Sequence, residues 1–194
     1  MKNKNNITGI ILAGGKSSRM GTDKGFLILN NKPFIQYSID ALKPLVDDIL
    51  IVSDNSDYDI FGLKRVNDIT KDAGPVSGIH SGLKASKTEL NMVLSCDIPL
   101  INSKILQKLI DNIDTVSQII QVESHGKSMP LIAIYRKGVI NTFNAFLKND
   151  ERRLRIAIKS CLSKNIQLEK EHEICTMNVN TINELKAAKD AYNH

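Results

Sequence analysis

The chain has 194 residues, 42% of them hydrophobic, which is enough for a packed core and too apolar for a disordered chain. A net charge of +5 suits a polyanionic ligand, while 5% aromatics and no Trp leave no evident stacking platform for nucleic acid. No apolar run reaches membrane-span length, the first residues lack a signal-peptide core, and Cys96, Cys161 and Cys175 lack zinc or redox spacing. One domain over 1–194 is expected, cytoplasmic, with no membrane and no nucleic-acid partner.

The elements follow in chain order. Ile7–Leu12 reads as a buried strand that ends at Gly14 and Gly15. Phe34–Leu42 has helical spacing, and Ile49–Val52 is a second β-branched run. Lys64–Asn67 is a short extended run. Val76–Ala85 reads as a helix after the Gly74-Pro75 breaker, and Met92–Leu94 as a third strand ending at Ser95-Cys96-Asp97. Ser103–Ile113 repeats apolar residues on one helical face, with Ser103 placed to cap it. Gln118–Val122 and Pro130–Tyr135 read as strands, and Lys137–Leu147 and Arg152–Cys161 as helices. Met177–Thr181 reads as a short strand and Asn183–Tyr192 as a terminal helix. This alternation predicts a three-layer α/β/α sandwich with a mostly parallel, Rossmann-like sheet. Ligands in such sheets bind at the carboxyl ends of the strands.

Five segments carry candidate chemistry. After the first strand, Gly14 and Gly15 allow φ > 0 and close approach of a ligand. Successive N–H groups there form an anion-binding concavity, and Lys16, Arg19 and Lys24 add cations suited to phosphate. The same loop also reads as a tight strand-to-helix turn with solvated charges. It is neither a Walker A loop nor the dinucleotide fingerprint. Asp97, at the end of the third strand, is placed to hold Mg²⁺ beside substrate phosphates, or to cap the next helix. Asp68 could accept from a base or ribose, or serve a turn. Gly78 inside a helix points to close approach by a ligand or to plain helix packing. Asn178 and Asn180 share one face of the expected strand, for a polar ligand or metal-bound water, and Asn180 or Thr181 could instead cap the last helix. None of the four histidines pairs at ligand spacing, and no Ser-His-Asp set is present.

Together these segments resemble a nucleotidyltransferase of the nucleotide-diphospho-sugar transferase type, and most closely the molybdenum cofactor guanylyltransferase (MobA) family. The resemblance rests on Leu12-Ala13-Gly14-Gly15 through Arg19-Met20-Gly21, Asp23-Lys24-Gly25, Asn31-Lys32-Pro33 and Gly74-Pro75-Val76-Ser77-Gly78. It continues through Cys96-Asp97-Ile98-Pro99, Glu151-Arg152-Arg153 and Asn178-Val179-Asn180-Thr181. The resemblance implies that Leu12, Ala13 and Gly14 contact the guanosine nucleotide and that Arg19 and Lys24 neutralise its triphosphate. It implies that Asp68 contacts the nucleotide, that Asp97 binds Mg²⁺, and that Gly21, Gly78, Asn178 and Asn180 serve activity or pterin binding. One departure is Ser53, which stands where some members carry a nucleotide-contacting Asn, with Asn55 two residues on.

The implied reaction is transfer of GMP from GTP to molybdopterin, releasing pyrophosphate. Proteins that insert molybdenum or mature molybdoenzymes are implied as further partners. Because the attacking group is already an anionic phosphate, the absence of a general-base constellation is consistent with this. Rival readings are a related cytidylyl- or sugar-phosphate nucleotidyltransferase and a non-catalytic nucleotide-binding protein.

Overall fold

Apolar runs closed by breakers become the strands of one twisted sheet, and helices cover both of its faces. The computed structural model describes residues 6–14, 23–70 and 73–192. Its first half comprises β1 (Ile7–Leu12), β2 (Ile28–Leu29), β3 (Lys32–Pro33), α1 (Phe34–Leu42), β4 (Asp48–Val52), β5 (Lys64–Val66), α2 (Gly74–Ala85) and β6 (Leu90–Ser95). The second half comprises α3 (Ser103–Asp111), β7 (Ile119–Ser124), β8 (Lys127–Arg136), α4 (Val139–Lys148), α5 (Leu154–Lys159), β9 (Ser163–Gln167) and α6 (Ile182–Tyr192). Short 3-10 turns occupy Lys24–Phe26, Ser56–Phe61 and Lys170–Thr176.

The main sheet has seven strands in the order β5-β4-β1-β6-β8-β7-β9. β5, β4, β1 and β6 run parallel, and β7 pairs in parallel with β9. Only β8 runs against its neighbours. The cause is local. His125 and Gly126 both have positive φ (50° and 66°), the backbone of a two-residue hairpin turn that reverses the chain after β7. β1 is buried on both faces, which explains its unbroken apolar run. Ile11 faces the core shared with α1 and α3, and Ile10 faces the core shared with α2, α4 and α5. A third cluster joins Leu29, Phe34, Val179 and Ala188, and so packs α6 onto the β2–β3 hairpin.

Three expectations need correction. The cap of α3 is Asn102, whose side chain accepts from the Ile105 N–H at 3.2 Å, because Ser103 already has helical geometry. Met177–Thr181 forms no strand, because its backbone bonds to the site: the Val179 N–H donates to the Asp97 carbonyl at 2.8 Å. The helix expected over Arg152–Cys161 is confined to Leu154–Lys159. Glu151 accepts from the Arg153 N–H at 2.9 Å and pairs with its guanidinium, which holds this turn out of the helix. The β2–β3 hairpin and β9 lie beyond what the pattern predicts. No helix among the described residues is long and apolar enough to cross a membrane.

Candidate functional site

The parallel strands bring three chain exits to one rim. The Ala13 N–H donates to the Val52 carbonyl at 3.0 Å, and the Cys96 N–H to the Leu12 carbonyl at 3.1 Å. The ends of β1, β4 and β6 are thereby stitched together below a cleft of about 530 Å³. Leu12, Ala13, Gly14, Asp68, Gly78 and Asp97 all line it, as do Ser53 and Asn55. Among the described residues, a Cβ on Gly14 would meet nothing within 4 Å. Gly15, Lys16, Arg19 and Gly21 lie outside the described residues.

Asp97 is the centre of the arrangement. It is 9% exposed, and Ser95 Oγ donates to its Oδ1 at 2.6 Å. Lys24 Nζ lies 3.3 Å from Asp97 Oδ2 and also donates to Asn180 Oδ1. Lys24, Asp97 and Asn180 are far apart in the chain and meet at this one point. The helix-cap alternative for Asp97 does not hold, because Asn102 takes that role. Asn180 is likewise free of capping duty, which falls to Thr181. Thr181 Oγ1 accepts from the Glu184 N–H at 3.2 Å, and Glu184 accepts in return from the Asn180 N–H at 2.7 Å.

Asp68 does more than serve a turn. Its Oδ1 accepts hydroxyls from Ser77 and, at 3.2 Å, from Ser81, both on α2. The same hydroxyls accept from the Thr70 and Ile69 N–H groups, so one helix anchors residues 68–70 beside the cleft. Ser77 and Ser81 are one turn apart on α2, and that spacing is the signal by which they could have been found. Gly78 packs closely and also borders the cleft. It lines the cleft, and a Cβ there would lie 3.3 Å from Leu12 Cδ2.

A second cavity of about 660 Å³ adjoins the first, sharing Pro75 and Leu131 with it. Met129, Pro130 and Ile132 form its apolar wall, and Arg153, Arg155 and Asn178 supply its polar groups. Asn178 Oδ1 is buried and has no hydrogen-bond partner among the described residues. Asn178 therefore belongs to this second cavity, whereas Asn180 reaches the first site. The Glu151 carboxyl is lowered to about 2, chiefly by its hydrogen bonds from the Arg153 side chain.

The described residues include no group of three or more His, Cys, Asp or Glu placed to hold a metal. A closed protein cage is thus not built here. A single buried-edge carboxylate facing a cleft does fit Mg²⁺, which takes one or two carboxylates and completes its shell with phosphate oxygens and water. The donor set of this rim is compatible with that ion. Beside it, burial pushes the Cys96 thiol well above its ordinary range, which leaves it un-ionised and unsuited to nucleophilic work. Asp23 enters the sequence reading only within the Asp23-Lys24-Gly25 segment and Tyr58 not at all, yet beside Lys24 the Tyr58 hydroxyl donates to Asp23 Oδ1.

Residues 9–165 match the model of the MobA-like NTP transferase domain. A probable molybdenum cofactor guanylyltransferase from Flavobacterium johnsoniae is 34% identical over 179 residues, covering 92% of this chain and 94% of that one. A molybdenum cofactor guanylyltransferase from Vibrio vulnificus is 33% identical over 179 residues, covering 91% of each. The crystal structure of molybdopterin-guanine dinucleotide biosynthesis protein A from Archaeoglobus fulgidus superposes with a TM-score of 0.79. It covers 96% of this chain and 98% of that one at 18% identity, a likeness of fold. The glycine-ended first strand, the carboxylate on the same rim and the matched span lead to one conclusion: the chain belongs to the MobA-like NTP transferase family.

Proposed function

We propose that the protein transfers GMP from GTP to molybdopterin, forming molybdopterin guanine dinucleotide and pyrophosphate. The observation that carries this reading is the meeting of Lys24, Asp97 and Asn180 beside two adjoining cavities. The cleft over β1, β4 and β6 takes the nucleotide. Leu12, Ala13 and Gly14 offer backbone groups to it, Asp68 accepts from its polar edge, and the open face at Gly14 admits phosphate. Gly15 and Arg19 continue the phosphate-binding loop in this reading.

Ser53 is the better candidate than Asn55 for contacting the base. The Asn55 amide donates to Asp23 at 3.2 Å, and its carbonyl accepts from the Asp57 N–H at 2.9 Å, so both ends are engaged. Ser53 Oγ accepts from the Asn55 N–H at 3.2 Å and keeps its own proton for a ligand. The second cavity, with one apolar wall, two arginines and the unpartnered Asn178 carbonyl, suits a flat polar ring that carries a phosphate.

The chemistry asked of the chain is positioning and charge neutralisation. A terminal phosphate oxygen of the pterin forms a bond to the α-phosphorus of GTP, and the bond to pyrophosphate breaks. Lys24 holds charge on the phosphates, and Arg19 does the same from the loop. Magnesium, when bound, would be held by Asp97 and would draw charge from the phosphoryl oxygens. Ser95 fixes the Asp97 carboxylate through Oδ1 and leaves Oδ2 directed to Lys24. No side chain is needed to remove a proton, because the attacking phosphate is already ionised. We propose that the whole chain acts as one domain, since Val179 and α6, beyond the matched span, pack onto Asp97 and the β2–β3 hairpin. Its place of action in this reading is the cytoplasm, beside the GTP pool.

Competition between GTP, CTP and UTP for the protein in the presence of Mg²⁺ tests the reading. GTP is expected to bind most tightly. Tighter binding of CTP or UTP would refute the guanylyl assignment and favour a sister transferase.

A further inference from the structure

The turn that delivers Lys24 is held in part by a residue outside the cleft lining, and that residue is an unusual choice for a core. Tyr58, on the 3-10 turn after β4, is fully buried (0% exposed). Its ring stacks on Phe26 with centroids 4.6 Å apart and lies 6.3 Å from Phe61. A phenylalanine would fill the same space with no hydroxyl to desolvate, and burying an unpaired hydroxyl is costly. That hydroxyl donates to Asp23, the cleft-lining carboxylate that immediately precedes Lys24.

Asp23 is held from every side. Its Oδ1 also accepts from the Gly25 N–H at 3.2 Å, which starts the Lys24–Phe26 turn. Its Oδ2 accepts from the Asn55 amide at 3.2 Å, and its carbonyl accepts from the Phe26 N–H at 3.0 Å. Gly25 is cut to fit the tyrosine, since a Cβ there would lie 2.2 Å from the Tyr58 oxygen. Burial keeps the Tyr58 phenol far above its ordinary range, so it remains a hydrogen-bond donor to the carboxylate. The loop after β4 thus reaches across and locks the backbone from which Lys24 extends to Asp97 and Asn180.

We propose that Tyr58 is a positioning residue: by donating its buried hydroxyl to Asp23 it fixes the turn that presents Lys24 to the nucleotide phosphates, and so sets nucleotide affinity. The proposal rests on the reading of the cleft as a nucleoside triphosphate site. A misplacement of about 1 Å in a charge-bearing group is enough to cost one to two orders of magnitude in function.

Calorimetric binding of Mg²⁺–GTP to the wild type, Tyr58→Phe, Lys24→Ala and the double variant tests it. Tyr58→Phe keeps the ring stack and is expected to weaken GTP binding about tenfold. In the Lys24→Ala background the same change is expected to leave GTP affinity unaltered, while its effect on melting temperature stays the same in both backgrounds. A purely structural role would shift melting temperature and leave wild-type-background affinity alone. The proposal is overturned if Tyr58→Phe binds GTP like the wild type, or if its full loss persists without Lys24. Should Tyr58→Phe not fold, Asn55→Ala removes the other anchor of Asp23 and is judged by the same cycle. A wild type that binds no nucleoside triphosphate refutes the reading of the cleft, and this proposal with it, which is a different result from a wild type that binds and a Tyr58→Phe that matches it.

Discussion

Two glycines one turn apart on α2 should behave oppositely when replaced by alanine. Gly82 lies against β1, and a Cβ there would sit 2.5 Å from Ile10 Cγ2 and 3.0 Å from Ile10 Cδ1. Ile10 is fully buried in the middle strand region, so the helix must move off the sheet. Overpacking of this kind costs about 1–3 kcal/mol, against a helix-propensity gain of about 1 kcal/mol. Gly82→Ala is therefore expected to lose up to about 2 kcal/mol in net stability. At Gly78 the nearest atom is Leu12 Cδ2 at 3.3 Å, the tip of a flexible side chain that borders the cleft. A shift of a few tenths of an ångström relieves that contact, and the propensity gain then wins. Gly78→Ala should leave stability unchanged or raise it by up to about 1 kcal/mol. Its methyl group and the displaced Leu12 intrude on the cleft, so nucleotide affinity should fall. Urea denaturation midpoints and GTP binding, measured on both variants, check the pair. If Gly78→Ala is the more destabilised of the two, or binds GTP unchanged, the account of α2 as the tight wall of the nucleotide cleft is refuted.

Other expectations follow from the same geometry. Asp97→Asn keeps the shape of the side chain while removing its charge, and should reduce Mg²⁺-dependent transfer about 10³-fold; near-normal turnover would remove Asp97 from the site. His80 is buried with Nδ1 unpartnered, and burial first, then Lys84, lower its pKa against an opposing effect of Asp68. Its native pKa lies below the unfolded value, so its contribution is fully present above about pH 6.5 and is lost as the pH falls below that. The wild-type urea midpoint should drop between pH 7 and pH 5, and His80→Asn should flatten the drop; parallel curves would contradict this. Asn102→Ala removes the cap of α3 and should cost about 0.5–2 kcal/mol, which thermal melts can read, whereas Ser103→Ala should cost less.

The residues that the sequence exposed most clearly are those whose role is periodic or local. Ile7–Leu12 is readable because both faces of β1 are buried, and Phe34–Leu42 because one helical face is apolar. Asp97 stands out in sequence because a carboxylate at the end of a buried strand has few structural uses; that Asn102, and not Asp97, caps α3 is legible only in the structure. What stayed hidden depends on long-range contact. Asn180 is within reach of Lys24 only because Val179 bonds to the Asp97 carbonyl and α6 packs on the β2–β3 hairpin. That tertiary bond is also why Met177–Thr181 is irregular, where alternation alone suggested a strand. Asn178 lines the second cavity while Asn180 meets Lys24, and the same irregular backbone separates the two. β9 was missed because its exposed, polar edge pattern carries no hydrophobic signal. Tyr58 could not be connected with Asp23 without the turn that folds the loop after β4 back over Phe26.

Guanylyl transfer onto a pterin phosphate is the work proposed for Asp97, Lys24 and the glycine-ended strand. Incubation of the protein with molybdopterin, Mg²⁺ and GTP labelled at the α-phosphate tests it most directly. The account predicts label in a molybdopterin guanine dinucleotide, with one pyrophosphate released per label transferred and little transfer from α-labelled CTP. Label transfer from CTP in preference to GTP, or GTP binding with no label reaching the pterin, would contradict it.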